Sequence, residues 1–175
     1  MLFVKLERSA DKIRFVEGKP YVNQNVFMSL DPETGRPEID PIRKPGTGVI
    51  VGHAFRTRAK GQVVNAAGEV VRLIPATAYA RERFKGIFEK TKFLPHWRYP
   101  DGELDPRYAE FTRTTKSTAR GRFSFDKVAP GTYFVSTQVI WGEEDAIFRE
   151  GGSVYDEVTL TGKETEPVEV ILSGH

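Results

Sequence analysis

Any chemistry in this chain would have to come from few side chains. Among 175 residues there is no cysteine, and the three histidines are His53, His96 and His175. Zero cysteine removes thiol catalysis, disulfide scaffolds, thiolate zinc sites and iron–sulfur clusters together. No two histidines have the i, i+3 or i, i+4 spacing of a helical metal site, and there is no His-x-His strand pair. His53 follows Gly52 in a β-branched run and reads as a hydrogen-bonded structural residue. His175 closes the sequence and reads as a mobile end or a purification remnant. Serine chemistry lacks a Gly-x-Ser-x-Gly elbow, and Ser124 alternates with Phe123 and Phe125, which turns it to solvent. Gly151-Gly152 leads into a strand-like run and not a helix, so it is no phosphate loop. Glu143-Glu144-Asp145 lacks the spacing of a dedicated calcium loop and reads as a solvated acidic turn. The expectation is a non-enzyme with no catalytic residue, no metal and no cofactor.

Binding is better served. His96, Trp97, Arg98 and Tyr99 stand together between Pro95 and Pro100. Flat aromatic faces beside hydrogen-bonding groups suit sugars or peptides, and Trp, Tyr and Arg are enriched at binding hot spots. The competing expectation, and the favoured one, is that Trp97 tucks under its loop and anchors it. Trp141, at the end of a long β-rich run, is expected to close one end of the core. Charge adds a weaker cue. Residues 143–175 carry nine acidic and two basic side chains, whereas residues 81–122 carry eleven basic and six acidic ones. The bland reading is a dipolar surface; the sharper one is a basic segment meeting an acidic region of another copy or an anionic polymer. A formal net charge of +2 is too mild to argue for nucleic acid.

These residues must be held by elements that the patterning makes visible. Residues 1–30 contain short strand-like runs at Leu2–Leu6, Ile13–Val16 and Val22–Leu30. Residues 31–48 hold four prolines and three glycines and read as an irregular connector. From residue 48 the pattern is strand, turn, strand: 48–55, 63–64, 69–74, 121–126, 132–140, 154–160 and 168–172. Seven strands at turn-punctuated intervals predict an all-β sandwich. One stretch departs. Thr77 is a candidate N-cap for a helix over 77–92, with Ala80, Phe84, Ile87 and Phe88 on one face and Gly86 weakening it. Residues 93–111 are aromatic and proline-punctuated, so the insertion at about 77–112 is either a cover for the sandwich or the functional surface.

The order of these elements, with Gly121-Arg-Phe-Ser-Phe followed by Val128-Ala-Pro-Gly-Thr-Tyr133, resembles the carboxypeptidase regulatory-like domain. That resemblance implies a seven-strand transthyretin-like (Ig-like) β-sandwich, here over 48–175; the short helical insertion and the amino-terminal extension over 1–47, expected to lay further strands against the sandwich, depart from the family pattern. It also implies the bacterial cell envelope (periplasm or surface), since envelope lipoproteins of unknown role look similar. The segment Met1–Arg8 breaks its apolar run at Lys5, Glu7 and Arg8 and carries no signal-peptide pattern, which leaves a cytoplasmic location open. Membrane association would need an anchor this sequence lacks. The leading expectation is a structural or protein-interaction module acting through sheet edges or the basic insertion, with a protein partner or a second copy favoured over a small molecule. The alternative is carbohydrate binding through Trp97 and Tyr99; a hydrolase is a distant third.

Overall fold

The computed structural model describes residues 45–98, 111–142 and 149–175, together with the backbone of two short amino-terminal strands. Those strands, β1 (Arg14–Val16) and β2 (Lys19–Tyr21), pair antiparallel with each other. The runs expected over 2–6 and 22–30, and most of the connector, lie outside the described residues, as does the 143–145 turn.

The remaining strands form an all-β sandwich of two sheets. In chain order they are β3 (Gly48–Thr57), β4 (Val63–Asn65), β5 (Val70–Pro75), β6 (Phe93–Pro95), β7 (Arg113–Lys116), β8 (Arg122–Val128), β9 (Gly131–Trp141), β10 (Glu150–Leu160) and β11 (Val168–Leu172). One sheet runs β6-β10-β9-β5-β7. The other is built on β3, which pairs in parallel with β11 on one side and antiparallel with β8 and then β4 on the other. Alternation explains the core. Ile50 and Ala54, Phe123 and Phe125, and Val170 and Leu172 point inward from this sheet. Val71, Leu73, Tyr133, Val135, Val139 and Val154 meet them from the other. Ser124 is exposed, as its phase requires. Gly121 has φ 69°, and a Cβ there would lie 2.4 Å from the Ala54 carbonyl oxygen, so the turn into β8 needs glycine. After the Pro130-Gly131 reversal, the buried Tyr133 hydroxyl donates to Ala129 O at 2.8 Å, and burial pushes its pKa up to about 12.

Among the described residues nine strands therefore build the sandwich where seven were expected. The two additions, β6 and β7, sit at opposite edges of one sheet. Phe93-Leu94-Pro95 is too short to show alternation, and an edge strand tolerates proline because one side needs no donor. Arg113-Thr-Thr-Lys116 carries no apolar phase at all; charge on an edge discourages pairing with other chains.

Helix α1 (Ala78–Phe88) is capped as expected, the Thr77 hydroxyl accepting from Ala80 N at 3.3 Å. It ends four residues before the expected limit, because Glu89 turns left-handed at φ 56° and Thr91 Oγ1 donates to the Phe88 carbonyl. Its apolar face covers the outer side of the five-stranded sheet. Phe84 stacks on Phe134 with centroids 4.3 Å apart and meets Tyr155 edge-on at 4.8 Å, and Phe88 and Leu94 complete this second cluster. Surface ion pairs Arg81–Glu157 and Lys92–Asp156 flank it. The helix is thus a cover, one of the two roles the insertion was expected to fill.

Candidate functional site

At one end of the sandwich the last residues of β3, the paired ends of β9 and β10, and β6 enclose an open groove of about 720 Å³. That lies within the range of small-ligand sites. Its walls are built from strand ends, where side chains leave the core without meeting the opposite sheet. Arg56 comes from the end of β3 and Arg58 from the residue just after it, Trp141 from the end of β9, Glu150 from the start of β10, and Phe93 and Trp97 from β6 and the turn after it.

Trp141 is half-buried and packs against the core, as expected, but it also lines the groove. Its ring lies against Gly151, where an added Cβ would approach the ring to 2.8 Å and the Val139 carbonyl oxygen to 2.0 Å; φ is 91°. Glycine is needed there on both counts. At the neighbouring Gly152 a Cβ would lie 2.0 Å from the Leu94 carbonyl oxygen, and His96 N donates to Gly151 O at 2.8 Å. The Gly151-Gly152 pair thus seats Trp141 on one side and draws β6 close on the other.

The polar groups of this wall are unusual. Arg56 stacks over the Phe93 ring at 4.0 Å and its Nη1 donates to Ser173 O at 2.8 Å, a neutral acceptor. Burial pushes its pKa down, since desolvation disfavours the cation. Arg58 lies over Trp141 at 5.4 Å, donates to Gln62, and stands 3.6 Å from a Glu150 carboxylate oxygen. Among the described residues three buried side-chain polar atoms have no hydrogen-bond partner: Arg56 Nε, Trp141 Nε1 and Arg149 Nε. All three belong to residues lining the groove, and all three are donors. Leaving a buried donor unpaired costs about 1–3 kcal/mol, and here three such donors belong to one wall.

Of the expected cluster at 96–99, the described residues His96, Trp97 and Arg98 divide between two clefts. Alternation begun in β6 continues into the following turn. Phe93 and Trp97 line the groove, whereas Leu94, His96 and Arg98 line a separate cleft of about 400 Å³ between α1 and the sheet; Pro95 borders both. Trp97 is 67% exposed, which corrects the expectation that it tucks under its loop. With Phe93 and Pro95 on its own side, it stands out over the groove instead of closing it. Arg98 is tied to Glu89 by an ion pair, and Tyr99 lies outside the described residues. His53 is held structurally, its Nε2 2.9 Å from Asn65 Oδ1. His175 is exposed. Among the described residues no three His, Asp or Glu side chains group to hold a metal, and no helix is long and apolar enough to cross a membrane.

The groove residues that sequence reasoning missed are Arg56, Arg58, Phe93 and Arg149. Their signal was indirect: the Gly151-Gly152 pair opening a strand marks a close approach, and it pointed to the neighbours that need the space.

No family model and no curated protein matches the chain. Among solved structures, a Pseudomonas aeruginosa protein described as a "putative carbohydrate binding protein" superposes with a TM-score of 0.65 at 30% sequence identity, covering 83% of this chain and 99% of that one. At that identity and coverage the chain belongs to the same family as this Pseudomonas aeruginosa protein.

Proposed function

We propose that the chain is a non-catalytic carbohydrate-binding module whose groove takes a sugar ring against Trp97 and Trp141. The observation that carries this reading is the convergence in one groove of two tryptophans, one of them two-thirds exposed, with three unpaired N–H donors. Sugar rings offer apolar C–H faces to aromatic planes and hydroxyl oxygens to donors. The description of the Pseudomonas aeruginosa relative points the same way. The non-catalytic half is supported by His53 being committed to Asn65 and by His96 lying across β6 from the tryptophans.

The test is retention of the full chain on immobilised polysaccharides alongside Trp97→Ala. Retention of the parent, at least tenfold weaker retention of the variant, and an unchanged unfolding midpoint are expected. Equal retention of both proteins, or none of the parent on any polysaccharide, would sink the reading. Hydrolysis of a bound oligosaccharide would remove its non-catalytic part.

The sandwich being of the carboxypeptidase regulatory-like type, and the location being the bacterial envelope, are kept as parts of this proposal and rest on the resemblance of residues 48–172. Fractionation of the native cell decides the location. A protein-interaction role has one observation in its favour: β11 is a sheet edge among the described residues, and its Ile171 is exposed. Self-association or partner binding abolished by Ile171→Asp, with polysaccharide retention absent, would favour that reading instead.

A further inference from the structure

The groove is not neutral, and its charge carries the reading one step further. Among the described residues its lining holds three cations, Arg56, Arg58 and Arg149, and one carboxylate, Glu150. That carboxylate already stands beside Arg58. Among the described residues no carboxylate pairs with Arg56 or Arg149. Arg56 is partly withdrawn from water, with only a backbone carbonyl and an aromatic face for company. Among the described residues a cation in that position has no counter-charge.

The unpaired groups are of one kind. Arg56 Nε, Arg149 Nε and Trp141 Nε1 are all donors, and no buried side-chain acceptor among the described residues is left unpaired. A neutral sugar brings hydroxyls that donate as readily as they accept, and the buried unpaired donors use only the accepting half of that capacity. A carboxylate only accepts, takes several N–H donors at once, and forms charge-assisted bonds roughly twice as strong as neutral ones. The arginine planes match it in shape as well as in charge. The three donors are covered by their neighbours, so they would meet such a ligand through small side-chain rotations, with Gly151 and the β-ladder beneath held fixed.

We propose that the groove selects acidic sugars, a uronic acid residue seating its ring on the tryptophans and its carboxylate on Arg56 and Arg149. This rests on the carbohydrate-binding reading and narrows it to one class of sugar. It requires no covalent step.

The experiment titrates the full chain with a panel of uronic-acid oligosaccharides and neutral hexose oligosaccharides matched in length, following tryptophan fluorescence and calorimetry. Uronic-acid members are expected to bind at least tenfold more tightly. Arg149→Gln, at a half-exposed position where folding should be spared, is expected to remove about tenfold from the acidic ligands and clearly less from the neutral ones. Equal affinity for both sets, or equal losses in Arg149→Gln, would overturn the acidic-sugar proposal and leave carbohydrate binding standing. Binding of neither set would overturn both. Equally tight binding of free acetate or inorganic phosphate would also overturn it, by reducing the site to a general anion trap.

Discussion

Two aromatic clusters flank the same edge of the sandwich, and they end differently. Under α1, Phe84, Phe88, Phe134 and Tyr155 face one another at 4.3–5.8 Å, and all are buried or nearly so. Around the groove, Phe93, Trp97 and Trp141 do not close on each other; guanidinium groups stand over two of the rings and the third is mostly in water. Strand β6 separates the two clusters and gives alternate residues to each. The difference teaches what an unfinished contact looks like. A cluster that serves folding satisfies itself, ring on ring, and leaves no polar atom stranded. The groove leaves aromatic surface exposed and three donors unpaired, a cost that folding alone does not explain.

The largest effect that separates the clusters should come from Phe84→Ala. Removing the ring at the centre of the helix-covered cluster should cost about 3–5 kcal/mol in urea unfolding, while ligand binding by the folded fraction persists. A loss well under 1 kcal/mol would mean that the helix is not docked as described. Gly151→Ala should come next, on the other side of β6. The positive φ and the blocked Cβ should cost about 1–3 kcal/mol, and the tryptophan emission should shift as Trp141 is displaced. An unshifted spectrum with full binding would break the link between this glycine and the groove.

Gly86→Ala sharpens the contrast in the opposite direction. No atom outside the helix's own backbone lies within 4 Å of the added methyl, and the position is in the last turn of α1. It should stabilise the packed cluster by about 1 kcal/mol and leave the groove's affinity unchanged. Smallest of all in stability should be Trp97→Ala, within about 0.5 kcal/mol, because so little of the ring is withdrawn from water. Its thermal midpoint should match the parent even where polysaccharide retention is lost. A large drop in that midpoint would restore the anchoring role.

Much of the frame was legible in the residues. The phase of Phe123 and Phe125, the Pro130-Gly131 reversal and the Thr77 cap each state a local rule that the fold obeys, because each depends on neighbours in sequence. Edge strands were not legible. Phe93–Pro95 becomes a strand because β10 offers it partners from Gly152 to Val154, and a three-residue segment cannot announce such a partner. That omission hid the division of the 93–98 segment, so His96, Trp97 and Arg98 read as one site when alternation sends them to two sides.

By itself, then, the sequence determined an all-β sandwich with a capped helix laid over it, and the absence of cysteine chemistry. Hydrophobic phase and turn residues are short-range properties, and they suffice for that. Only the tertiary structure decided that Arg56, Trp141 and Arg149, separated by up to 93 positions along the chain, stand around one groove with Trp97 above it. Strand ends are brought together by sheet order and register, which are set by pairing across the whole fold and leave no mark on the residues that inherit the site.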